Sequence, residues 1–210
     1  RADCAVAFVL TSGVRLLEGH FSDLLDRGGH LRILTGDYLG VTEPEALLRL
    51  LDLHEAFPEQ IELRVFETGS GTFHPKAYIF AYKSGAGVAL VGSSNLSRPA
   101  LLDGLEWNFR SVTSRDQAGF ADVSANFEEL FHHANTTQLT PNWVDSYRLR
   151  RPNLEATPGR ELALPDEEPI PVPDPHVVQI RALEALELTR LEGNRAGLVV
   201  MATGLGKTWL

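Results

Sequence analysis

Short apolar runs alternate along the chain with segments whose apolar residues recur every three or four positions, and this alternation restricts the fold most. Residues 4–10 (CAVAFVL) are an apolar run closed by Thr-Ser-Gly, the pattern of a buried strand. Val14, Leu17, Phe21, Leu24 and Leu25 then share one face of a helix that Gly28-Gly29 ends. Leu31 to Leu34 is a second strand. Thr42-Glu-Pro-Glu45 has the order of a capping box, with Pro44 in the first turn of a Leu-rich helix running to about His54. Ile61, Leu63 and Val65 alternate with Glu62 and Arg64, as in a half-covered strand. Residues 74–82 and 87–92 form two further strands joined by Lys-Ser-Gly-Ala as a hairpin, and 107–112 is a possible third. Phe120, Val123, Phe127, Leu130 and Phe131 mark another amphipathic helix. Strands and helices in this order predict an α/β fold, a mixed sheet flanked by helices.

The texture changes after Arg151. Seven of the twelve prolines fall within 152–175 among several acids, which predicts an extended linker over 151–175. Helical spacing resumes at Val177, Ile180, Leu183 and Leu186, and GLVVMA (197–202) reads as a buried strand. The expected organisation is a domain over 1–150, the linker, and the edge of a second domain over 176–210. The chain opens on Arg1 rather than Met, as expected of a piece of a longer protein. No apolar run is long enough for a membrane span, and no signal-peptide order is visible. The single cysteine, Cys4, excludes an internal disulfide and fits a reducing cytoplasm.

Charge limits how such a chain could meet nucleic acid. Residues 1–150 carry 13 Lys/Arg against 19 Asp/Glu, a balance of −6, within a total of −9. Sequence-independent binding to DNA is driven largely by phosphate neutralisation. An acidic domain must therefore rely on a local basic groove, a partner subunit, or the rest of a longer protein.

One constellation carries chemistry. His74 and Lys76 are two apart, so on a strand both side chains leave the same face. The next strand ends at Gly92-Ser93-Ser94-Asn95, and hairpin pairing would bring Ser93 or Ser94 and Asn95 towards them. A nucleophile candidate, a fixed cation and neutral donors suit a phosphate diester, with imidazole attacking phosphorus and the other groups holding the non-bridging oxygens. Read singly, a strand-end histidine is usually a surface residue and Gly-Ser-Ser-Asn usually a turn. No carboxylate cluster accompanies them, so the constellation calls for no metal. His132-His133 point in different directions on a helix. Trp107, Trp143 and Tyr147 could stack on bases, but packing in the core is the expected role. Cys4 reads as buried and inert.

His74-Pro75-Lys76 with Gly92-Ser93-Ser94-Asn95, and Glu106 eleven residues further on, resembles the phospholipase D superfamily, whose hallmark is HxK followed by GSxN. The likeness covers residues 1–150. The fuller motif has an Asp five residues after the Lys, where this chain has Ala81. The resemblance implies a metal-independent DNA endonuclease with His74, Lys76, Ser93, Asn95 and Glu106 at its site. It implies a phosphohistidine intermediate, a second histidine that protonates the leaving oxygen, and Glu106 orienting an imidazole. Because the chain holds one HxK, it also implies a homodimer sharing one site. The rival readings are a non-catalytic DNA-binding or dimerisation module of a helicase, to which Ala81 points, and a phospholipid hydrolase.

At the other end, Ala202-Thr-Gly204-Leu-Gly206-Lys207-Thr208 after an apolar run resembles motif I of superfamily 2 helicases and restriction translocases, with Pro175 and Gln179 resembling their adenine-reading segment. Such a loop cradles phosphates with backbone N–H groups, its Lys reaches the β/γ oxygens and its Thr binds Mg²⁺. The resemblance implies ATP and Mg²⁺ for a full-length helicase part. The segment stops two residues after Thr208, too early for ATP hydrolysis by this polypeptide.

Overall fold

The computed structural model describes residues 1–69, 71–151 and 177–191. The chain divides into two compact units, Arg1–Asp166 and Glu167–Leu210. In the first, strands β1 (Ala2–Val6), β2 (Leu31–Gly36), β3 (Ile61–Phe66), β4 (Lys76–Ala81), β5 (Gly87–Gly92), β6 (Asn108–Val112) and β7 (Thr136–Gln138) form one sheet. Its order is β6-β5-β4-β1-β2-β3-β7. β1, β2 and β3 run parallel, joined by crossovers through α1 (Thr11–Asp26) and α2 (Pro44–Ala56); the other pairings are antiparallel. Helix α3 (Gln117–Phe131) and helix α4 (Pro141–Arg150) complete the unit.

Strand alternation assigns the two faces. Cys4, Ile33, Leu63 and Tyr78 turn to the side covered by Phe21 and Leu25 of α1, Leu47 and Leu50 of α2, and Val144 and Tyr147 of α4. Ala5, Leu34, Ile79 and Ala89 meet Phe127 and Phe131 of α3 on the other. All six residues of β2 are buried, as befits a central strand covered on both sides. The mixed α/β architecture expected from the alternation is the one found.

Several boundaries differ from the sequence pattern. The apolar run 4–10 does not stay in the sheet: β1 ends at Val6, and residues beyond it bend so that Val9 bridges Leu96. Helix α1 starts at Thr11, before the first periodic position. The capping box at Thr42 is not formed. Glu43 is the N-cap residue of α2, without a side-chain cap bond, and Thr42 Oγ1 donates to the Gly36 carbonyl instead. Glu43 serves α1: its Oε2 accepts from the Thr11 N–H at 2.7 Å, placing a carboxylate where the helix dipole favours one. The hairpin 74–82/87–92 is present, but its first strand begins at Lys76; Pro75 contributes only its carbonyl, which accepts from the Ala7 N–H at 2.8 Å.

The second unit contains helix α5 (Val177–Leu191), where renewed helical spacing predicted one. Ile180, Leu183, Leu188 and Leu191 are exposed on it. The backbone of Gln179 belongs to this helix; Pro175, expected in an adenine-reading segment, and the expected loop residues Gly204, Gly206, Lys207 and Thr208 lie outside the described residues.

Candidate active site

The sheet registers bring the motif residues to one rim. Val6 pairs with Lys76, and Ala77 with Val91, so one step further sets Lys76 against Gly92. Gly92 pairs with Asn108, which carries the GSSN turn past residues 106 and 107. The rim therefore collects the end of β1, the start of β4, the end of β5 and the approach to β6. Gly92 is needed here because a Cβ would collide with the Trp107 carbonyl and the Asn108 side chain.

His74 and Lys76 are in direct contact, with Lys76 Nζ 2.7 Å from both ring nitrogens of His74. An ammonium has only protons to offer, so in any hydrogen bond with the ring Lys76 is the donor. His74 is exposed, whereas Lys76 is only 8% exposed. The imidazole is held from the sides: Phe8 meets it edge-on at 5.7 Å between centroids and Tyr38 at 6.5 Å. Tyr38 precedes Leu39, the one non-glycine among the described residues with a positive φ, 55°. Such left-handed backbone costs about 1–3 kcal/mol and persists only where neighbours enforce it. Asp37 supplies part of that hold, accepting from the Thr68 N–H and Oγ1 at 2.9 Å each.

The turn after β5 is tied on several sides. Ser93 Oγ donates to Glu106 and accepts from the Trp107 N–H at 2.9 Å, while the Ser93 N–H donates to the Trp107 carbonyl at 3.0 Å. Ser94 is buried; its Oγ accepts from Asn108 Nδ2 at 2.7 Å and its carbonyl from the Tyr78 hydroxyl at 3.1 Å. Burial pushes that hydroxyl well above the ordinary tyrosine value, and Cys4 and Glu106 add to the shift, so Tyr78 acts as a donor. Asn95 is 3% exposed, and its Oδ1 accepts from the Phe8 N–H at 3.1 Å. With its oxygen occupied there, the amide offers N–H groups in its other direction. Phe8 thus links Asn95 to His74 by touching both.

The five predicted residues fall into two contacting pairs, His74–Lys76 and Ser93–Glu106, with Asn95 joined to the first through Phe8. Phe8, Tyr38, Tyr78 and Asn108 were not predicted. Phe8 and Tyr38 lie far from the motif in sequence and no local pattern marks them; Tyr78, two residues after Lys76 on the same strand, and Asn108, two residues beyond Glu106, could have been read with it. Trp143 and Tyr147 pack against each other at 5.1 Å between centroids, as expected, but the core role expected of Trp107 fails: it is 89% exposed. Cys4 is buried at 2% exposure, and burial, aided by Asp3, pushes its thiol up to about 12. His132 turns to Glu128 and Arg64, and His133 stacks near Phe66. Among the described residues no helix is long and apolar enough to cross a membrane.

This mixed seven-stranded sheet, flanked by helices, is a phospholipase D-like fold. Among solved structures, NucT from Helicobacter pylori is similar to this chain, with a TM-score of 0.50 and 13% identity over 66% of this chain and 81% of that one. Phosphatidylserine synthase from Haemophilus influenzae Rd KW20 is more distantly similar, with a TM-score of 0.48 and 16% identity over 71% of this chain and 41% of that one. At 13% identity the likeness to NucT speaks to the fold alone. No family model matches the sequence, and no curated protein matches it.

Proposed function

We propose that residues 1–150 form a metal-independent phosphodiesterase that cuts DNA through a phosphohistidine intermediate. The observation that carries this reading is the exposed His74 imidazole held against the Lys76 ammonium on the rim that also bears Ser93, Asn95 and Glu106. Without substrate, the Lys76 ammonium lies against the imidazole nitrogens. An arriving phosphate gives the ammonium a better acceptor, a non-bridging oxygen, and releases the nitrogen to attack. The Asn95 amide N–H groups add neutral donors towards the same oxygens. Glu106, which holds Ser93, keeps the serine turn against the Trp107 backbone.

The balanced reaction has two steps. A His74 nitrogen forms a bond to phosphorus as the P–O bond to the leaving nucleotide breaks, and a second imidazole donates its proton to that oxygen. Water then attacks the phosphohistidine, passes a proton to the second imidazole, and His74 leaves. With one HxK per chain, the second imidazole comes from a twin subunit, so the active form is a homodimer. Ala81 does not weaken this reading. It closes β4, five residues from Lys76 and so about 17 Å along the strand. Its N–H and carbonyl are bonded to Arg1, at the far end from His74.

We propose further that, within a helicase-fused protein, this domain is the nuclease of a cytoplasmic restriction or defence enzyme, with Gln179, Gly204, Gly206, Lys207 and Thr208 part of an ATP and Mg²⁺ site. A translocating motor supplies nucleic acid rather than lipid, which favours DNA over a phospholipid. The test is cleavage of plasmid and single-stranded oligonucleotide in EDTA. Cutting should survive chelation, vanish in His74→Ala, and leave acid-labile phosphate on the protein after rapid quenching. Cleavage unchanged in His74→Ala, or abolished by chelation, would refute it.

A further inference from the structure

Trp107 and Phe109 stand two apart on the approach to and start of β6, so their side chains share one side of the strand; they are 89% and 69% exposed. Val91, paired with Phe109 across the ladder, is 38% exposed on the same side. A solvent-facing indole and phenyl ring side by side on a sheet edge are not needed for this fold, whose other described tryptophan, Trp143, packs against Tyr147. They adjoin the candidate site directly, because the Trp107 N–H and carbonyl both bond Ser93.

We infer that Trp107 and Phe109 form a stacking platform for unpaired bases, so that the substrate is single-stranded nucleic acid bound more by stacking than by charge. This rests on the reading above, in which the phosphate to be cut lies at His74 and Lys76. A strand with a phosphate there must run past Ser93, and thus past Trp107. Few cations stand nearby: besides Lys76 at the site, Arg98 pairs with Asp103 at 3.5 Å on the open surface and Arg110 is the other arginine of this stretch, while Glu106 and Asp103 are acidic. Residues 1–150 as a whole are acidic, 13 Lys/Arg against 19 Asp/Glu. Base stacking on an aromatic face is independent of net charge and of base identity. It also selects strandedness: in a duplex the base faces are covered by their neighbours, whereas a single strand exposes them. Leu102 and Leu105 are exposed close by, and a protein partner on this surface is the competing occupant. The aromatic pair contiguous with a phosphate-holding turn favours the nucleotide.

The test uses the 210-residue chain carrying His74→Ala, so that binding is read without cleavage. Its probes are a fluorescent oligothymidylate, the matching duplex, and an abasic strand with the same number of phosphates. The oligothymidylate should bind roughly tenfold more tightly than the abasic strand, equivalent to about 1.4 kcal/mol, and quench tryptophan fluorescence. Adding Trp107→Ala or Phe109→Ala should remove most of that difference and leave abasic binding unchanged. Equal affinity for the abasic and base-bearing strands, tighter duplex binding, no binding at all, or a difference that survives both substitutions would overturn the inference. So would a fall in sedimenting mass on Trp107→Ala, which would assign the surface to copies of the chain. Stacking of oligothymidylate by a wild-type chain that cleaves none of these strands would defeat the catalytic reading alone.

Discussion

Asn95 is the residue where structural and chemical roles can be separated most sharply. Its Oδ1 accepts the Phe8 N–H at 3.1 Å between residues that are 3% and 1% exposed. Asn95→Ala deletes the acceptor and leaves a buried backbone donor without its partner. An orphaned donor costs about 1–3 kcal/mol, and the small void left by the amide brings the expected loss to about 2–3 kcal/mol. For a domain of this size each kcal/mol moves the melting temperature by about 2–4 °C, so the variant should melt roughly 4–12 °C lower by circular dichroism. If the N–H groups of Asn95 also hold a phosphate oxygen in the transition state, kcat should fall by about 10²–10³, measured well below the melting point so that unfolding does not contribute. Asn95→Asp is the companion. It keeps an acceptor for Phe8 but replaces the amide N–H groups with an anion, so it should lose activity at least as severely. A melt within about a degree of wild type for Asn95→Ala would refute the structural half of this reasoning. A destabilised variant with full kcat would refute the chemical half and leave Asn95 as a brace for Phe8.

Two further outcomes follow from buried polar groups away from the site. Arg32 donates to Asp3 at 2.7 Å and twice to Glu128, and its guanidinium lies over the Phe127 and Phe131 rings. Arg32→Met leaves Asp3, whose side chain is 2% exposed, with Arg1 at 2.9 Å as its remaining charge partner. Urea denaturation should show a loss of about 3 kcal/mol, the low end for breaking a buried pair; a loss below about 1 kcal/mol would contradict the assignment. The hydrogen bond from Arg32 is also the main cause holding the Glu128 carboxyl below its ordinary value. That contribution is present above the unfolded carboxylate value and is lost as pH falls through the folded one, so the gap between wild type and variant should narrow in acid. Cys4 behaves oppositely: its folded value of about 12 exceeds the ordinary 9.0, so its share of stability is intact below pH 9 and fades between there and about 12. Thiol reagents should leave the native chain unlabelled at neutral pH while labelling it fully in denaturant, and Cys4→Ala should flatten part of the alkaline loss; prompt native labelling would show that the strand is not closed over the sulfur.

What could be read along the chain was whatever depends on neighbours in sequence. Residue periodicity located the strands and helices of the α/β layer, because it follows from local backbone geometry; the strand alternation expected to put His74 and Lys76 on one face does not apply, since β4 begins only at Lys76 and His74 precedes it. Capping went the other way: Thr42 and Glu45 match a local motif, yet folding gives Thr42 to Gly36 and sends Glu43 across to the start of α1, since a partner brought by the sheet can outbid one along the helix. The bend after Val6 was equally hidden, because apolarity signals burial and not strand continuation. The support of His74 by Phe8 and Tyr38, and the Phe8 bond that aims Asn95, depend on chain segments dozens of residues apart that only the packed sheet brings together. Exposure of Trp107 was decided there too. Hydrophobicity alone sends an indole inward, but β6 stands at the sheet's edge, where α3 does not cover its first residues and the ring is left facing water.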